Sequence, residues 1–283
     1  MTFSKAPLAL AIGDVGEGYK SFTLGDLKLT ALSDATGQMP FSLFHGITED
    51  ELNVIASAAN MEGALNSWIN AFVVEKDSKL YLVDTGTGAK VAENLVKAGY
   101  KPEDIDFVLI THFHGDHIGG LIDSSGNPVY SKAKVYVPQK DMDYFMPETA
   151  TVPGGDLARK ALAPYEDSER LVIFDSDMEI EPGVETIASY GHTPGHSGFL
   201  FTGTDGELLV WGDIVHAYLV QFVRPEVTLT YDVDEDTARA TRAKVLAEVT
   251  EKNQVIAGAH LPFPGVGKVV KAGETYRYNP YGD

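Results

Sequence analysis

One segment limits more than any other what this chain can fold into: an apolar run that ends in a cluster of imidazoles. Residues 106–120 read DFVLITHFHGDHIGG. The first half, DFVLITH, has the character of a buried strand. The second half places His112, His114 and His117, three of only eight histidines in the chain, beside Asp116 and between glycines. Imidazoles this close repel one another when protonated, whereas held neutral they form a nitrogen cluster suited to a divalent cation. A loop leaving a buried strand can turn alternate side chains to one point, so His112 and His114 converge. Gly115 removes a side chain where the backbone must bend, and Asp116 with His117 can then face a second point. If this is a metal site, the remaining donors lie further along the chain.

They do. GHTPGHS (191–197) places His192 after a strand, and Thr193-Pro194-Gly195 breaks the chain, so His192 and His196 are not a helical i,i+4 pair. One is expected to be a ligand and the other a structural hydrogen-bonder; His192 is taken as the ligand and His196 as structural. Asp213 ends a strand in WGD, and His260 ends another in AGAH. A lone strand-terminal Asp or His most often caps or braces the chain; the set as a whole favours ligation.

The rest of the chain gives these donors a scaffold. Strand-like segments lie at 26–33, 67–75, 79–86, 106–112 and 133–138, then at 184–189, 198–203, 207–213 and 254–260. The polar KDS between the second and third reads as a hairpin, as does the turn at Thr204, Asp205 and Gly206. Residues 89–98 have a helical pattern stopped by Gly99, and Asp234 or Asp236 can cap an Ala-rich helix running to about Lys252. Residues 147–156 look like an irregular surface loop. Asp84, His112, Asp213 and His260 all terminate strands. Two sheets offering side chains along one edge suggest an α/β (α+β) fold, a four-layer αββα sandwich in one domain over residues 1–283.

Composition narrows the partners. The chain has 283 residues, is 44% hydrophobic and carries a formal net charge of −19 from 22 basic and 41 acidic residues. That balance gives no cationic footprint for nucleic acid and points to a small neutral substrate. The absence of cysteine excludes thiolate ligands, disulfides and a cysteine nucleophile. No apolar run approaches the roughly 18–20 residues that span a bilayer. APLALAI (6–12) is at the short limit for a signal peptide, so residues 1–20 read as a flexible lead-in and the protein as cytoplasmic, with a trimmed export signal as the alternative.

The order His-x-His-x-Asp-His, then His, Asp and His, following DTG (84–86), resembles the metallo-β-lactamase superfamily over roughly residues 24–281. By that resemblance His112, His114 and His192 hold one metal and Asp116, His117 and His260 a second. Asp213 bridges them, and Asp84 orients a ligand imidazole. Two divalent ions roughly 3.5–4 Å apart would share a water that ionises near neutral pH, which points to hydrolysis of an acyl or phosphoryl ester. Asp116 and Asp213 are candidates to accept the proton and pass it to the leaving group. Zn²⁺ suits the nitrogen-rich sites, and Mn²⁺, Co²⁺ or Fe²⁺ can use the same ligands.

Within the superfamily, Asp213 argues against a typical β-lactamase, which places cysteine or serine at the bridge. The acidic charge argues against nucleases, and His114 argues against a flavodiiron protein. Glyoxalase II, for which Arg224 and Lys268 are weak candidates to bind an acidic thiol carrier, and an iron persulfide dioxygenase are alternatives; a non-catalytic ligand sensor is a third. LGDLKLTALSD (24–34), GHTPGHS, GDIVHAYLVQF (212–222), AHLPFPGVGKV (259–269) and AGETYRYNP (272–280) resemble the methyl parathion hydrolase group. This implies a dizinc-type homodimeric lactonase or arylesterase with phosphotriesterase side activity. His216, three residues past Asp213, is a candidate proton carrier or substrate hydrogen-bonder. Phe44, Trp68, Tyr218, Phe222, Tyr231 and Phe263 are expected to wall an aromatic pocket.

Overall fold

The central strands are apolar on both faces, and the fold places a layer against each. The structure, a computed structural model, describes residues 10–149 and 151–281. Among these, one sheet has eight strands. In spatial order they are Ala11–Gly16, Tyr19–Leu24, Leu27–Pro40, Ala64–Lys76, Lys79–Val83, Phe107–Leu109, Lys134–Pro138 and Leu171–Phe174. The first five are mutually antiparallel, and from Lys79–Val83 onward neighbours run parallel. The second sheet has seven strands: Glu179–Glu181, Val184–Ala188, Ser197–Thr202, Glu207–Val210, Val255–Ala257, Val266–Ala272 and Thr275–Pro280. All its pairs are antiparallel except Glu207–Val210 with Val255–Ala257.

Strand alternation sorts the side chains into layers. Phe72 and Val74 of one sheet meet Val184, Phe199 and Phe201 of the other in the inter-sheet core. Their neighbours Ala71 and Val73 face outward onto Val91 and Leu95 of helix Val91–Lys97 and Leu162 of helix Gly155–Glu166. In the second sheet Leu208 and Val210 face inward, while Leu209 and Ile256 pack on Leu246 and Val249 of helix Glu235–Glu251. The layering is αββα. Burying a Phe or Leu contributes about 1.5–3 kcal/mol, so strands buried on both faces read as continuous apolar runs rather than as alternating ones.

Local signals place the connections. Asp77 (φ 50°) and Ser78 (φ 60°) form a turn with two positive φ values between their strands, which suits the right-handed twist of a two-residue hairpin. The Asp234 carboxylate accepts from the Thr237 backbone N–H and starts helix Glu235–Glu251. The expected lead-in over residues 1–20 needs correction from residue 11 on. Ala11–Gly16 pairs antiparallel with Tyr19–Leu24, because the latter packs Phe22 and Leu24 into the inter-sheet core. The rest of that expected lead-in, residues 1–9, lies outside the described residues. No helix among the described residues is long and apolar enough to cross a membrane.

Candidate metal centre

Every candidate donor leaves a strand of one or other sheet at the same edge. Asp84 follows Lys79–Val83, and the segment from His112 to His117 follows Phe107–Leu109. His192 follows Val184–Ala188, Asp213 follows Glu207–Val210 and His260 follows Val255–Ala257. The backbone bends sharply at Gly212 (φ 59°), where a Cβ would come within 2.5 Å of His196 Nε2. Only glycine fits there.

Four of the imidazoles share one design: one ring nitrogen is tied to a fixed partner, and the other points to a common centre; His114 instead sets its Nδ1 2.9 Å from His192 Nε2. His117 Nδ1 lies 2.7 Å from Asp84 Oδ2, and His112 Nδ1 lies 3.0 Å from Thr111 Oγ1. His192 Nδ1 lies 2.8 Å from Asp232 Oδ1, and His260 Nδ1 lies 2.7 Å from the Trp68 carbonyl. Asp84 also accepts from the Thr111 N–H and hydroxyl, so a single carboxylate braces both ends of the cluster. Pinning the outer nitrogen fixes ring orientation and tautomer, which is the usual support of a metal-binding imidazole.

The inward atoms fall into overlapping groups of three, each able to hold a cation: His112, His114 and His192; Asp116, His117 and His260; His112, His117 and Asp213; His192, Asp213 and His216. Within each group the donor atoms lie within 4.8 Å of one another. Asp213 is central to them. Its Oδ2 is 3.0 Å from His260 Nε2, 3.0 Å from His216 Nε2 and 3.2 Å from His192 Nε2, and its Oδ1 is 3.2 Å from His117 Nε2.

The donor set fits a pair of cations on its own chemistry. His112 Nε2, His117 Nε2 and Asp213 Oδ1 are buried and make no hydrogen bond. Unpartnered buried polar atoms are costly and rare, and a pair of divalent ions would engage all three. Protonation follows the same lines. Burial, then the neighbouring His117, holds His112 well below its usual value, and burial takes His114 down to about 3. Burial opposes protonation of His192 as well, but hydrogen bonds to Asp213 and Asp232 raise it to about 9. The carboxylates thus attract positive charge to this point, and a bound cation competes with that proton.

His196 has a different environment. Its Nδ1 is 2.7 Å from the Ser189 carbonyl, and its Nε2 accepts the Asp213 backbone N–H at 2.9 Å. Both nitrogens are committed to backbone. His216 is buried, with its ring stacked on His260 at 4.9 Å and 16°, and its Nδ1 makes no hydrogen bond.

A cavity of about 680 Å³ opens over this centre. His114, Asp116, His192, Asp213, His216 and His260 contribute its polar side; Met39, Ile69, Tyr144, Phe145, Tyr231 and Val233 contribute apolar wall. The expectation for its aromatics needs correction, because only Tyr231 of the six lines it. Trp68 sits between Ser67 and Ile69, which face the cavity, so alternation turns its ring away to pack edge-on against Tyr218 at 5.8 Å. Phe44 belongs to a core cluster with Met39 and Leu52. Tyr218, Phe222 and Phe263 line a separate cavity of about 360 Å³, where Phe222 stacks on Tyr278 at 5.8 Å.

Asp232, Thr111 and the Trp68 carbonyl, which orient His192, His112 and His260, escaped the sequence reading. Asp232 stands in an acidic run, YDVDED, in which nothing local separates an imidazole partner from a helix cap. Tyr144 and Phe145, which helix Gln139–Phe145 brings to the cavity, were not singled out in the sequence.

Comparison with known proteins agrees with this fold. An N-acyl homoserine lactonase of Bacillus thuringiensis is 24% identical over 202 residues, covering 71% of this chain and 70% of that protein. The solved structure of AbOPH, described as a hydrolase in the beta lactamase superfamily, superposes with a TM-score of 0.90 at 32% identity, over 96% of this chain and 99% of that one. AidC, described as a dizinc quorum-quenching lactonase, superposes with a TM-score of 0.87 at 23% identity, over 94% and 98% of the two chains. The sequence profile of the metallo-beta-lactamase superfamily matches residues 69–260, and the chain belongs to that superfamily.

Proposed function

We propose that the protein is a dinuclear metal-dependent hydrolase of small apolar esters. Lactones are its main substrates, and aryl esters and phosphotriesters are turned over as side activities. His112, His114 and His192 would hold one ion and Asp116, His117 and His260 the other, with Asp213 between them. Zinc is the preferred metal because five imidazole nitrogens and two carboxylates suit it. Such ions supply a Lewis acid for the carbonyl and water that ionises near neutral pH.

The cavity carries this reading. Its volume is that of an ordinary small-ligand site, with polar groups on one side and aliphatic and aromatic walls elsewhere. No lysine or arginine lines it among the described residues. An acidic thiol carrier or a polyanion would find no counter-charge there, whereas a neutral ring with an acyl tail would. The lactonase relatives support the same substrate class.

The chain's own groups then divide the work. Tyr231, Ile69 and Phe145 contact the apolar part and exclude water. Asp116, the ligand carboxylate more open to the cavity, receives a proton from the attacking water. His216, held beside Asp213 through Nε2 and kept neutral by burial, which lowers it to about 4, passes the proton that Asp116 receives on to the departing alkoxide.

The test is a parallel kcat/KM comparison on protein of measured metal content, using dihydrocoumarin, an aryl acetate, a phosphotriester, a cephalosporin and a glutathione thioester. The lactone and aryl ester should lead. A ranking led by the cephalosporin or the thioester overturns the substrate assignment.

A further inference from the structure

We propose that Asp141 is a positioning residue for the metal centre, locking together the two loops that carry the donors of one ion. This rests on the reading of His112, His114 and His192 as that ion's ligands.

Asp141 lies in helix Gln139–Phe145, outside both sheets, and its side chain is fully buried. Its Oδ2 accepts the Phe113 backbone N–H at 3.0 Å and the Thr193 hydroxyl at 2.9 Å. Its Oδ1 accepts the Gly195 backbone N–H at 2.6 Å. Phe113 stands between His112 and His114, and Thr193 follows His192. One carboxylate therefore grips the backbone between two donors on one loop and the turn beside the third donor on the other.

The local sequence accommodates this grip. A Cβ at Gly195 would come 2.8 Å from Asp141 Oδ1 and 2.7 Å from its backbone nitrogen, so that position must be glycine for the carboxylate to enter. All three partners are neutral donors. Burying a carboxylate without a cation is unfavourable, and three donors converging on it are the means of retaining it. An apolar side chain would fill the same space at lower cost if packing were the only requirement. A carboxylate also accepts from all three donors at once, which no other short side chain does. An asparagine would aim its amide N–H₂ either at the Phe113 N–H or at the Gly195 N–H, leaving one of the two loops untied. The same helix contributes Tyr144 and Phe145 to the cavity, so the tie also sets the wall relative to the donors.

The test compares wild type with Asp141→Asn and Thr193→Val, each stripped of metal and then titrated with Zn²⁺ against a chelator of known affinity. The visible spectrum of each cobalt-loaded protein and the urea midpoint of each metal-free protein are measured in parallel. Loss of a supporting partner of this kind typically costs 10- to 100-fold in metal affinity. Asp141→Asn should therefore bind one equivalent about 10- to 100-fold more weakly and show an altered cobalt spectrum while its metal-free form stays folded. Thr193→Val should shift in the same direction by less. A folded Asp141→Asn protein with wild-type affinity and spectrum overturns the proposal, even if its metal-free form is less stable. Should Asp141→Asn not fold, unchanged affinity in Thr193→Val overturns it instead. Failure of wild type to bind metal would refute the metal-centre reading itself, a result distinct from either.

Discussion

The backbone N–H of Asp213 donates to Nε2 of His196 at 2.9 Å, so a histidine outside the donor groups holds the residue at their centre. Its other nitrogen is bound to the Ser189 carbonyl, which fixes the ring from the far side. Removing it leaves a buried N–H without a partner, at a cost of about 1–3 kcal/mol. His196→Asn should lower stability by roughly that amount and keep its metal content when folded. Loss of metal from a folded variant would make His196 a ligand rather than a brace, and elemental analysis after refolding with metal decides between the two.

Asp232 orients His192 from behind and receives the buried Arg242, whose Nη2 is 3.6 Å from Oδ2. Asp232→Asn keeps the shape but removes the charge, and should weaken binding of one metal equivalent by about 10- to 100-fold. Chelator competition measures this. An unchanged affinity would show that His192 does not depend on its partner.

His216 touches Asp213 and reaches the cavity, while each donor group assigned to an ion is complete without it. His216→Ala should retain both metals and lose about 10- to 1,000-fold in kcat, the range expected for a missing proton carrier or oxyanion donor. Loss of a metal along with activity would place His216 among the ligands.

The two cavities can be told apart by KM. Ile69→Trp fills part of the larger one and should raise KM for long-chain lactones more than for short ones. Phe263→Leu alters the smaller cavity and should leave KM unchanged. The opposite pattern would mean that substrate binds among Tyr218, Phe222 and Phe263 after all.

Much of this was legible in the sequence because the donors mark strand ends. His112, His114, Asp116, His117, His192, Asp213 and His260 each carry a residue type unusual after an apolar run, and folding brings them together at one edge. Apart from Asp84 and His196, their supports were not legible. Asp232 and Asp141 are ordinary acidic residues in ordinary surroundings until the chain brings them to loops 28 to 54 residues away. Pocket aromatics were misplaced for a related reason: a one-residue shift on a strand reverses the face, as Trp68 and Ile69 illustrate. Helix Glu49–Ala58 carries a capping box from Thr48 to Glu51 that the sequence reading passed over, although its pattern is local.

Asp213 lies 3.2 Å from a donor of each proposed ion, His117 and His192, so metal stoichiometry in wild type and in Asp213→Ala tests the account most directly. Elemental analysis of fully loaded, folded protein should give two equivalents per chain in wild type and one in the variant, with lactone hydrolysis lost alongside. A single equivalent in wild type, or two in Asp213→Ala, would contradict it.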